Sequence, residues 1–202
     1  MKRIVATSTL FLCLLSISLS ADEGKQPAAT PPPADMMAAM EKVKHFTEPG
    51  PNHKILERFL GTWATETRIF MGPNPTDPEK GESKFSWLMK DRWLKCEYTN
   101  SMMGMPYEGF TLMGYDNFKK SYVMTAVSSI DTMMTRSEGD MDPSGKAIIL
   151  YGSMDEYLTG EHDKMVKSVW RFESDKKIIL EIHDLPIGEK NTKIVEVTFN
   201  KK

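Results

Sequence analysis

Residues 55–70 read ILERFLGTWATETRIF, and the fold turns on what happens at Gly61. Before it, Ile55, Leu56, Phe59 and Leu60 recur at helical spacing; after it, Trp63, Thr65, Thr67 and Ile69 fall on one side and Ala64, Glu66, Arg68 and Phe70 on the other. The first pattern is one face of a short helix, the second a half-buried strand. Glycine at the junction gives the chain the backbone freedom a helix C-cap needs. Upstream, Asn52 is placed to cap this helix over His53–Leu60, and Pro49-Gly50-Pro51 separates it from another that begins at Asp35 and runs to about Phe46. The earlier helix carries its apolar residues at Met36, Met37, Met40 and Val43.

Downstream, period-two runs recur at Glu82–Lys90, Arg92–Thr99, Pro106–Tyr115, Ser121–Ile130, Met134–Met141, Lys146–Ser153, Lys164–Glu173, Lys177–His183 and Lys193–Phe199. With the first strand they make about ten. The separators are hairpin-length: Lys90-Asp91, residues 116–120, Asp142-Pro143-Ser144-Gly145, residues 174–176 and Pro186-Ile187-Gly188-Glu189. Links so short leave no room for crossover helices, so consecutive strands pair antiparallel. A meander of that length exposes two edges unless it closes, and closure removes both. The expectation is an all-β domain over residues 35–202: an antiparallel up-and-down β-barrel of about eight to ten strands, preceded by two short helices.

Ahead of the domain, Met1-Lys2-Arg3 and the apolar run Ile4–Leu19, followed by small residues at Ser20 and Ala21, read as a secretory signal peptide over residues 1–21. Residues 22–34, DEGKQPAATPPPA, have four prolines and little to bury, the composition of a disordered linker. The expected location is secreted or periplasmic, with no membrane span in the mature protein.

Cleavage after Ser20 takes two of the 26 Lys and Arg and none of the 28 Asp and Glu, so the net charge goes from −2 to −4. That balance favours no nucleic-acid partner. Cys13 leaves with the leader, so Cys96 is alone and reads as a small buried hydrophobe on a strand.

The stretch Phe59-Leu60-Gly61-Thr62-Trp63 resembles the Gly-x-Trp start of calycin barrels, in which the tryptophan plugs the closed end. Taken with His53-Lys54, Met71-Gly72-Pro73, residues 102–109, Gly114-Tyr115-Asp116-Asn117 and Ser137-Glu138-Gly139, the sequence closely resembles a bacterial family known as domain of unknown function 1579 over roughly residues 36–201. The resemblance implies a lipocalin-like barrel and no particular activity. It also implies an arginine packed across Trp63, with Arg171 the first choice and Arg136 the second. Fatty-acid-binding barrels hold a carboxylate with an Arg-x-Tyr pair on the last strand, and residues 193–199 contain neither. Nitrobindin-like barrels bind haem through a late-strand histidine, a place only His183 could take here.

Hydrolase elbows, zinc helices and phosphate-cradling glycine loops are absent, and the histidines at 45, 53, 162 and 183 lack ligand spacing. No catalytic residue, metal site or cofactor is assigned. Sixteen methionines stand out, with Met102, Met103 and Met105 clustered and Met133-Met134 following in a later segment; thioethers suit cuprous ion, but they also fill apolar space. Alternation points Trp63, Trp87, Met89, Tyr107, Met113, Tyr115, Tyr122 and Trp170 toward the interior as candidate ligand-lining residues. These observations gather into a barrel that binds a small apolar or amphipathic molecule, with a ligand-free scaffold or an enzyme built inside the barrel as alternatives. Oligomeric state is not legible.

Overall fold

The first strand, β1 (Gly61–Ile69), pairs antiparallel with β2 (Glu79–Met89) on one side and with the last strand, β10 (Thr192–Lys201), on the other. Between them run β3 (Trp93–Met102), β4 (Met105–Asp116), β5 (Ser121–Ser128), β6 (Met134–Met141), β7 (Ala147–Glu156), β8 (Glu161–Ser174) and β9 (Lys177–Asp184). Each strand pairs with its sequence neighbours and the ring closes without a crossover. This computed structural model describes residues 33–70, 74–156, 160–185 and 192–202. The signal peptide and nearly all of the linker read from the sequence lie outside the described residues. No helix among those described is long and apolar enough to cross a membrane.

Two helical segments precede the barrel. The first, α1 (Ala34–Thr47), starts one residue before the expected cap: Pro33 takes the cap position, and Asp35 accepts the Met36 N–H at 3.0 Å. No α1 side chain is buried; the helix is tied down at its end, where Arg92 donates to the Thr47 carbonyl at 2.6 Å and Asn117 to that of Glu48 at 2.7 Å. The second, α2 (Pro51–Ile55), begins at Gly50 instead of Asn52, because Pro51 suits the first helical turn. It tightens into a 3₁₀ turn over Leu56–Phe59 that turns Leu56 and Phe59 fully inward.

That turn closes one end of the barrel. Phe59 lies 5.1–5.4 Å, ring to ring, from Phe85, Trp170 and Phe172, and Phe199 completes the cluster at 5.6 Å from Trp170. The contacts of Phe59 with Trp170 and Phe172 are edge-on, a geometry that adds to the burial itself. Trp63 is wholly buried beside them, its indole Nε1 donating to the Phe59 carbonyl at 2.7 Å. Gly61 makes the junction with φ of 120°, a conformation side chains resist, and a Cβ there would meet the Lys201 side chain at 3.1 Å. The cation over the Trp63 ring is Lys201, at 5.2 Å, and not the expected arginine. Arg171 stands on the outer wall with Glu181 at 2.9 Å, and Arg136 is exposed; both occupy outward positions in the strand alternation.

Under α2 the fit is polar as well as apolar. Tyr122 donates to the Asn52 carbonyl at 3.2 Å, and the buried His53 ring packs edge-on against Tyr115 while its Nδ1 accepts the Gly50 N–H at 3.0 Å. Burial pushes the His53 pKa below its ordinary 6.5; a bond to the Tyr115 backbone opposes that shift and nearby Arg92 adds to it.

Two measurements check this end of the molecule. Replacing Phe59 by Ala lowers unfolding free energy by about 3–5 kcal/mol in denaturant titration, whereas Phe118→Ala, at an exposed turn, costs under about 1 kcal/mol. Because the folded protein takes up the His53 proton at lower pH than the unfolded chain, the stability this residue gives is complete above 6.5 and declines as pH falls from there toward the folded pKa. Thermal unfolding between about pH 7 and pH 5.5 shows that decline in the native sequence and a flatter profile in His53→Gln.

Candidate functional site

Inward positions change character along the strands. Near the helical end they are large: Phe85 on β2, Met113 on β4, Tyr122 on β5, Trp170 and Phe172 on β8. Further along the same strands they become Ser83, Thr111, Ala126, Ser168 and Val166. Large side chains pack the helical end solid; small ones leave a cavity of about 320 Å³ above it. That volume is at the low end of the range for small-molecule sites, about 300–1,000 Å³.

The wall of this cavity is uneven. From β9 and β10 it receives Leu180, Ile182, Val195, Val197 and Phe199, all hydrocarbon. On the opposite side, β3, β4 and β6 supply Tyr98, Asn100, Tyr107, Thr111, Thr135 and Ser137. β4 lies five strands from β9 in either direction round the ring, so the two kinds of surface face each other.

Two of these polar groups depend on close packing. The Tyr98 ring lies across Gly109, where a Cβ would stand 2.1 Å from Tyr98 Cζ, so glycine is required for the ring to lie flat against the wall. Tyr107 meets it edge-on at 6.1 Å. Burial raises both phenol pKa values, that of Tyr98 to about 12, so both hydroxyls are neutral donors. Asn100 donates to Thr67 Oγ1 at 2.6 Å. The Ser137 hydroxyl and the Trp170 indole N–H are buried without a hydrogen-bond partner among the described residues.

Sulfur also reaches the cavity, from Cys96, Met102, Met124 and Met154. Cys96 is buried as the sequence suggested, and burial pushes its thiol up to about 12, which leaves almost no thiolate at neutral pH. Met103 and Met105 stand exposed on the β3–β4 hairpin, whose backbone is held by Glu79: the Met103 N–H donates to that carboxylate at 2.6 Å, and the Ser101 hydroxyl also bonds it. Among the described residues no group of three or more His, Cys, Asp and Glu gathers as a metal site.

Of the eight residues the sequence pointed inward, Tyr107 and Trp170 line the cavity. Trp63, Met113 and Tyr122 are buried in the packed core, with Tyr115 and Trp87 against it. Met89 is exposed, past a register shift between Trp87 and Met89 at the end of β2. Alternation alone does not single out Tyr98 or the inward Ser and Thr positions; the large-to-small gradient along each strand is the signal that marks them. His183 is no haem ligand inside the barrel. It pairs with Lys167 and Lys193 in the ladder, sits at an outward position and meets Glu181 at 3.4 Å on the outer wall. Burial opposes ionisation of Glu181, but Arg171, His183 and Lys193 around it hold its pKa low.

At the end away from the helices, Lys164 pairs with Asp184 at 2.9 Å and with Glu161 at 3.4 Å. Among the described residues the one charged residue on the cavity wall is Arg136, which occupies an outward position in the strand alternation, its exposed guanidinium 3.7 Å from the Met134 sulfur. A charge moved into such a space loses its hydration without compensation.

Among solved structures, the barrel is similar to the crystal structure of Rv2717c from M. tuberculosis, with a TM-score of 0.56 and 13% identity over 77% of this chain and 99% of that one. It is similar also to the S-type phycobiliprotein lyase CPES from Guillardia theta, with a TM-score of 0.52 and 9% identity over 79% of this chain and 96% of that one. At such identities the likeness is one of fold. No curated protein matches in sequence. The profile of a family described as protein of unknown function (DUF1579) matches residues 48–201, most of the chain and all ten strands, and the chain belongs to that family.

Proposed function

We propose that this protein is an exported carrier that holds one small apolar or amphipathic molecule inside its barrel. The observation that carries the reading is the cavity of about 320 Å³, bounded by the packed aromatic end and lined mainly by hydrocarbon, thioether and hydroxyl groups. A core folded for stability alone fills such space, because each void forfeits dispersion contacts. The likeness in fold to a phycobiliprotein lyase is compatible with a barrel that receives a ligand. Export rests on the leader read at residues 1–21.

Native mass spectrometry of the protein taken from its own cell envelope tests both parts. The polypeptide begins at Ala21 or Asp22 and carries a small molecule of one discrete mass. A polypeptide that retains Met1 overturns export; a ligand-free protein that also fails to bind neutral apolar dyes overturns the carrier. Replacing Ala126 by Phe puts a ring into the cavity and weakens dye binding at least about tenfold, with the thermal transition retained.

A further inference from the structure

A cavity with hydrocarbon on one side and hydroxyls on the other selects more than apolarity. The two phenols are the strongest polar feature of the wall: Tyr98 and Tyr107 stand together, and neither hydroxyl has a hydrogen-bond partner among the described residues. Both rings are half-buried on the cavity wall, and a phenol hydroxyl with no partner from the chain is free to donate to an acceptor brought by a ligand. Ser137 on β6, whose buried hydroxyl has no partner among the described residues, extends the same side. Across the ring, Leu180, Ile182, Val195 and Val197 offer nothing to a polar atom. Among the described residues the one charged residue on this wall is Arg136, at an outward position of its strand, so a carboxylate, phosphate or ammonium entering the space finds no counter-ion among the inward positions of the wall.

Building on the carrier reading, we propose that the ligand is an uncharged molecule with its hydrogen-bonding groups along one edge and hydrocarbon along the other, bound with the polar edge against Tyr98 and Tyr107. Gly109 belongs to this site, since the absence of a Cβ lets the Tyr98 ring lie against the wall.

The test uses rigid probes of one size, titrated into the full-length mature protein and followed by calorimetry: naphthalene, a naphthalenediol with both hydroxyls on the same long edge, its isomer with hydroxyls on opposite edges, and naphthoate. The same-edge diol binds tightest, naphthoate weakest. Tyr98→Phe and Tyr107→Phe each reduce affinity for the same-edge diol about fivefold and leave that for naphthalene unchanged, which also certifies that the variants are folded. The proposal is overturned, with the carrier reading intact, if naphthoate or the opposite-edge isomer binds as well as the same-edge diol, or if the phenylalanine variants bind the diol as tightly as the native protein. Failure of every probe, naphthalene included, overturns both.

Discussion

The ladder between β1 and β10 is the constraint from which the rest follows. It joins Trp63 to Lys201 at one end and Ile69 to Val195 at the other, and it turns a ten-strand meander into a ring. Without it, two strands would present unpaired N–H and C=O groups to any other edge they met. With it, the inward face becomes a closed space with a fixed circumference, and the problem of the fold changes from covering a sheet to filling a tube.

The chain solves that problem for only half the tube. At the helical end Phe59 enters from below, and Phe85, Trp170, Phe172 and Phe199 close around it, so the first turn of chain before β1 acts as a stopper. Above that level inward residues shrink to Ser83, Thr111, Ala126, Ser137 and Ser168. The barrel is thus divided along its axis: large rings hold the structure together in one half, and in the other small side chains leave a hollow with Tyr98 and Tyr107 against its wall. The outer wall carries its charges in a network around Glu181, where Arg171, His183 and Lys193 converge, and these groups take no part in the interior.

The fold was legible because its signals are local. Gly61 and Trp63 mark the change from helix to strand, and alternation with hairpin-length separators carries the meander to its end. The interior was less legible for a physical reason: alternation tells which residues point inward but not at what height along the axis they stand. Trp63 and Tyr107 share a parity, yet one is in the floor and the other on the cavity wall. Position across strands was equally hidden. Lys201 reaches Trp63 only because β10 is its neighbour in the closed ring, whereas Arg171 and Arg136 stand on β8 and β6. The β2 register shift carried Met89 out of the pattern, as irregularities at strand ends do.

The closing ladder has a kinetic meaning as well. Every other strand pair in the ring can zip up from a nearby turn, whereas β1 must wait for β10, the most distant partner in the sequence. The loop entropy of that one contact is met late, and topologies dominated by such pairings fold slowly. Until β10 has been made, the growing sheet is an open, sticky curl with a free margin on β1.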